Sequence, residues 1–152
     1  MKPLMLIIGI GMLHSFSGLA QNPVRWNFSA EKLKSNQFKI HLTANIGSGY
    51  HIYSKMQLSG SVYMPTNVRF DANKDIVEVG SVKEEGSLER VIDESSDMSY
   101  LKYSDKVNFN SIIKIRDGVT KTTLSGYVEF QACSEDECFP PVKVKFSLLL
   151  SP

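Results

Sequence analysis

The chain contains two cysteines, Cys133 and Cys138, within the stretch "FQACSEDECFPPVKVKF". Four residues separate them, three of these are acids, and Pro140 and Pro141 follow closely. A pair at this spacing can be a structural staple, part of a metal clip, or a redox centre. Zinc takes four ligands, and no second short-spaced Cys or His pair accompanies the cysteines. His41 and His51 fall on separate strand segments, and His41 lies on a polar face where solvation is its expected role. No nucleophile elbow or oxyanion motif supports Cys–His nucleophilic catalysis. No metal and no cofactor is expected.

The elements that must position the pair are strands. "FKIHLTANI" places Phe38, Ile40, Leu42, Ala44 and Ile46 on one face and Lys39, His41, Thr43 and Asn45 on the other. "TLSGYVEF" and "VKVKFSL" alternate in the same way. Shorter strand segments are 25–29, 50–56, 67–70, 88–92 and 107–115, each bounded by turn-forming residues. "SAEKLKSN" at 29–36 carries a Ser cap and predicts one or two helical turns. "DESSDMSYLKYSD" at 93–105 has no clean period and reads as a long loop. Seven to nine short strands with one polar face each predict an all-β, immunoglobulin-like antiparallel β-sandwich.

If 122–132 pairs with 139–149, the cysteines flank a four-residue hairpin loop. Opposed residues in such a pair stand about 4.5–5.5 Å apart, within the range a disulfide needs. The two prolines cannot donate to a ladder, so the strand lies at an edge or breaks there, leaving the sulfurs reachable. Chain entropy assigns a bridge closing so short a loop about 2 kcal/mol, a weak staple. Position alone leaves staple and redox pair open. Glu135, Asp136 and Glu137 disfavour a nearby thiolate, which raises thiol pKa and favours the disulfide, a bias towards a reducing couple.

Lys2, an apolar run from Leu4 to Leu13 and the small residues to Ala20 have the layout of a secretory signal peptide. Residues 1–20 are therefore expected to be removed, and 21–152 to form one domain. The apolar run is about half the length of a bilayer span, and no later stretch can cross. The first 20 residues hold one of the 17 basic residues and none of the 16 acids, so the remainder is balanced. That balance argues against nucleic acid or an anionic membrane surface as the partner. In an oxidising compartment a nearby cysteine pair closes readily.

The motif Cys, four or five residues, Cys, aromatic, Pro, Pro near the end of an exported domain resembles the N-terminal periplasmic domains of the DsbD thiol:disulfide interchange family. "SGYHIYSKM" (48–56), "YMPTNVRF" (63–70) and "LKYSDKVNF" (101–109) are similar to further family segments, so the resemblance runs from Trp26 to Leu148. It implies an immunoglobulin-like sandwich in which Cys133 and Cys138 form a redox-active disulfide. Its partners would be periplasmic thioredoxin-fold proteins, including those of cytochrome c biogenesis, and a membrane electron-transfer protein. Cys138, matching the second cysteine of the motif, would attack as thiolate and Cys133 would resolve. The family's cysteines lie under a loop bearing an aromatic shield. Asp93–Tyr103 corresponds to that loop, with Met98 or Tyr100 as the shield. His51 and Tyr53 fall where the family has two aromatics near the cysteines. The full-length family protein continues into membrane and thioredoxin-like domains, so a chain ending at Pro152 implies electrons supplied by a separate protein, or another use of the module.

Three functions follow: a thiol–disulfide exchange domain, a secreted binding module whose bridge pins a hairpin, and a metal-handling sandwich using Met56, Met64 or Met98 with His51. The expectation taken forward is the exchange domain.

Overall fold

The computed structural model describes residues 22–93 and 98–152, so the signal-peptide expectation for 1–20 lies outside the described residues. Among the described residues twelve strands occur in chain order: β1 (Val24–Lys34), β2 (Gln37–Ile46), β3 (His51–Tyr53), β4 (Asn67–Phe70), β5 (Ile76–Val79), β6 (Lys83–Gly86), β7 (Glu89–Asp93), β8 (Met98–Tyr103), β9 (Lys106–Ile115), β10 (Thr122–Phe130), β11 (Ala132–Cys133) and β12 (Val142–Leu150). All pairings are antiparallel. No helix occurs among the described residues. None is therefore long and apolar enough there to cross a membrane. The fold is an all-β, immunoglobulin-like antiparallel sandwich.

One sheet runs β1-β2-β9-β5, with β6 pairing β9 further along the same flank. The second runs β12-β10-β4, and the third β11-β3-β8-β7. The alternation of β2 is realised, with Phe38, Ile40, Leu42, Ala44 and Ile46 buried against Phe109, Leu124, Val128 and Phe130 in one core. Trp26 enters this core from β1, its ring 5.9 Å from Phe109 and 5.3 Å from Phe130. Burying these aromatic and branched side chains supplies the main drive to fold.

Two local expectations fail. Residues 29–34 are not helical but continue β1, and a two-residue turn at Ser35-Asn36 reverses the chain into β2. Ala, Glu, Lys and Leu favour helix locally, but the long ladder with β2 overrides that preference. The stretch 98–103, read as loop, is β8, hydrogen-bonded to both β3 and β7. Its alternation is masked because Tyr, Ser and Lys occupy a sheet whose two faces are both partly covered. His41 is not simply solvated either: Nδ1 lies 2.9 Å from Asn108 Nδ2 and Nε2 3.3 Å from Glu31 Oε2.

Candidate functional site

The cysteine hairpin arises where the chain changes sheets. β10 runs through the β12-β10-β4 sheet to Phe130. After Gln131 the next two residues join the other sheet, where Ala132 faces Ile52 and Cys133 faces His51. Gln131 ties the corner by donating Nε2–H to the Phe139 carbonyl. Beyond Cys133 the chain turns sharply. Ser134 N–H donates to the Glu137 carbonyl at 2.7 Å, and Phe139 N–H to the Ala132 carbonyl at 2.8 Å. Ser134 Oγ accepts from the amides of Asp136 and Glu137, fixing the turn from within. Cys133 and Cys138 are therefore a non-hydrogen-bonded antiparallel pair, the register in which opposed residues come closest. Their Cα atoms are 4.0 Å apart, and a disulfide joins them.

The two sulfurs meet different surroundings. Cys138 is exposed beside the acidic turn, whereas Cys133 is 1% exposed. The expectation that both sulfurs are reachable is thus corrected. The corner at Gln131 takes Cys133 into the third sheet as part of β11, while Cys138 makes only an isolated bridge to it before Pro140 and Pro141, which cannot donate to a ladder.

Strand alternation assembles the surroundings of Cys133. Ile52, Tyr103 and Ala132 point into the core, so His51 and Tyr53 project from the opposite face with Cys133. Gly49, at a φ of 81°, allows the Gly47–Tyr50 turn that delivers His51 into β3. Tyr53 is 2% exposed and donates its hydroxyl to Cys133 Sγ at 3.3 Å. Burial, reinforced by Tyr100 and Tyr63, pushes the Tyr53 phenol up to about 12, so it keeps its proton. Across the ladder Lys102 opposes Tyr53, which places Tyr100 and Met98 on the same face, with Asp93 opposite Met98.

Tyr100 lies over this layer, its ring 5.6 Å from Tyr53 and 6.3 Å from His51. Met98 instead lines a cleft with Leu58, Arg90 and Ser99. Of the two shield candidates, Tyr100 is the one in the aromatic cluster. Met64 lines a different cleft, beside Lys55 and Thr66, and Met56 is exposed.

Tyr63, which sequence reading did not single out, completes the layer: it stacks on Tyr53 at 5.0 Å and meets Tyr100 at 4.4 Å. Its hydroxyl donates to Asp93 Oδ2 at 3.2 Å. Glu84 of β6 was also missed. It accepts from Ser54 Oγ at 2.7 Å and from the Lys55 amide at 2.6 Å, pinning the chain just after Tyr53. Neither residue carries a local motif. Tyr63 reads as one aromatic in a loop, and Glu84 as one charge in a run.

His51 is 7% exposed, and its Nε2 has no hydrogen-bond partner. Burial, helped by the Lys102 ammonium and opposed by Glu89, lowers its pKa to about 4, so the ring is neutral around neutral pH. The cysteine pair therefore has an open sulfur at the surface and a covered one touched by a neutral phenol. That asymmetry suits a disulfide opened from outside and closed from within.

A comparison with curated proteins finds no match. Among solved structures, the chain is similar to the N-terminal periplasmic domain of ScsB from Proteus mirabilis, with 18% identity and a TM-score of 0.58. That similarity covers 86% of this chain and 47% of the ScsB domain, so the chain spans about half of that structure. The reduced N-terminal domain of Neisseria meningitidis DsbD gives 16% identity, 82% and 86% coverage and a TM-score of 0.44. The GAE domain of yeast GGA1 gives 9%, 86% and 96%, and 0.48. The ScsB likeness concerns the fold. The sequence itself carries the family assignment: residues 18–150 match the sequence model for the N-terminal region of the thiol:disulfide interchange protein DsbD, and the chain belongs to that family.

Proposed function

We propose that this chain is an exported thiol–disulfide exchange module that passes electrons through Cys133 and Cys138 to or from thioredoxin-fold partners in the periplasm. The observation that carries this reading is the split environment of the bridge, with Cys138 exposed and Cys133 buried against the Tyr53 hydroxyl. A partner thiolate attacks Cys138 Sγ, the Cys133–Cys138 bond breaks, and its electron pair stays on Cys133. In the reverse direction the Cys138 thiolate attacks a partner disulfide, and Cys133 then displaces the partner from Cys138. Tyr100, Tyr53 and Tyr63 form the cover over the buried sulfur. The family match and the periplasmic ScsB domain of the same fold support the placement outside the cytoplasm.

The test is a redox titration against a glutathione series, followed by mixing with a reduced thioredoxin-fold protein. The wild-type bridge is expected to open reversibly, and Cys138→Ser to abolish transfer with the fold intact. A bridge that stays closed under excess reduced partner overturns the reading. It would leave the secreted binding module, whose bridge contributes only about 2 kcal/mol of stability.

A further inference from the structure

The resolving step has an unmet requirement. When Cys133 closes the ring it must act as a thiolate, yet it is 1% exposed and water cannot easily take its proton. The acids of the turn lie beside Cys138, on the exposed side. A proton acceptor for Cys133 has to come from the covered face.

His51 is the residue directly opposite Cys133 in the β3–β11 ladder, so the two side chains leave the same face of the sheet. Its Nε2 is buried and unpartnered. A buried polar atom left unpaired carries a desolvation cost in this state, which a proton received from Cys133 would relieve in the reduced one. The ring is held in place by Tyr53 edge-on at 5.3 Å and Tyr100 stacked at 6.3 Å. Other titratable groups facing it are Lys102 on β8, Glu89 on β7 and the Tyr53 and Tyr100 phenols. The Lys102 and Glu89 charges act on it in opposite senses, and both phenols are raised, so both stay protonated.

The geometry points to His51 as the proton acceptor for Cys133 in the exchange cycle, a role that rests on the exchange reading above. With a partner held on Cys138 as a mixed disulfide, Cys133 S–H gives its proton to the free Nε2. The resulting thiolate attacks Cys138 Sγ. The Cys133–Cys138 bond forms, the bond from Cys138 to the partner sulfur breaks, and the electron pair leaves on the partner. The proton then passes from the imidazolium to solvent or to the departing thiolate. When the domain is reduced instead, the steps reverse: the electron pair arriving on Cys133 is neutralised by a proton returned through His51. Burial keeps the imidazole in its accepting, uncharged form, and a thiolate forming beside it strengthens its hold on the proton. Tyr53 donates to the same sulfur and steadies the anion between the two transfers.

The experiment uses reduced protein mixed in stopped flow with a substoichiometric amount of the aromatic disulfide dithiobis(nitrobenzoate). The first thionitrobenzoate released reports attack by Cys138, and the second reports ring closure by Cys133. His51→Phe keeps the aromatic packing, and His51→Gln serves if that variant fails to fold. The first release is expected to stay within about threefold of wild type, while the second slows by about a hundredfold or more, the low end of general-base contributions. The pH profile separates chemistry from packing. The wild-type second release should be nearly independent of pH across the neutral range. In the variant it should rise about tenfold per pH unit, as unaided thiolate formation does. A second release unchanged in rate and profile overturns the role of His51 and leaves the exchange reading standing. Absence of the first release in wild type overturns both.

Discussion

Cys133 and Cys138 share one bridge but stand in unlike surroundings, the first buried beside the Tyr53 hydroxyl and the second exposed. Their inequality was not legible, since it depends on which sheet covers each sulfur. Tyr53 illustrates the gap. From sequence it sits near the cysteines only through a resemblance, whereas the fold brings its hydroxyl 3.3 Å from Cys133 Sγ. A phenol gains little from a disulfide sulfur but considerably more from a thiolate, because hydrogen bonds to charged groups contribute about 1.5–3 kcal/mol. The contact is therefore worth more in the state where Cys133 carries charge. Tyr53→Phe removes one oxygen and leaves the ring stack with Tyr63 and Tyr100. It should raise the Cys133 thiol pKa by about one to two units, read from the ultraviolet thiolate absorbance of the reduced protein against pH. An unshifted titration would mean that the hydroxyl does not hold the anion.

At the scale of elements, most of the long strands could be read from alternation, and β2, β4, β9, β10 and β12 lie close to where the sequence puts them. The short strands β5, β6 and β8 could not. Each is only four to six residues long, too short to show a clear period in the sequence. β8 matters most, because it carries Tyr100 over the site. The aromatic layer is anchored to the rest of the molecule by Glu84, a β6 side chain that holds Ser54 and Lys55. The sheet that launches the cysteine hairpin depends on Gly126, which faces Phe70 on one neighbour and Phe146 on the other. Those two rings meet at 5.9 Å. A Cβ at Gly126 would collide with the Arg69 carbonyl oxygen and come within 2.7 Å of Phe146 Cζ. Gly126→Ala is expected to cost about 3 kcal/mol, the upper part of the overpacking range, measured by urea unfolding. Attack at Cys138 should keep its wild-type rate below the transition, since the exposed turn lies beyond the Gln131 corner. A variant as stable as wild type would show that β4 and β12 can part without loss.

The whole molecule sets the remaining property, the dependence of stability on pH. A folded domain that must keep Cys133 covered also keeps His51 covered, and burial there disfavours the charged ring. His51 titrates near its ordinary 6.5 when the chain is unfolded and at about 4 when folded. Between those values the unfolded chain binds a proton that the folded chain does not. Stability must therefore fall as pH drops from about 6.5 towards 4, with the full contribution present above that window. The size is at most about 3 kcal/mol, the free-energy equivalent of the separation between those two values. Carboxylates lose their own contributions in the lower part of the same window, so the comparison has to be made against His51→Phe, which cannot titrate. Urea unfolding of both proteins at about pH 7 and about pH 4.5 should show wild type losing more stability than the variant, by roughly 2–3 kcal/mol. Parallel losses would place the ring in water and remove the reason for its neutrality. Unequal losses would show that the packing which shelters Cys133 also keeps the neighbouring imidazole uncharged, at a measurable cost in acid stability.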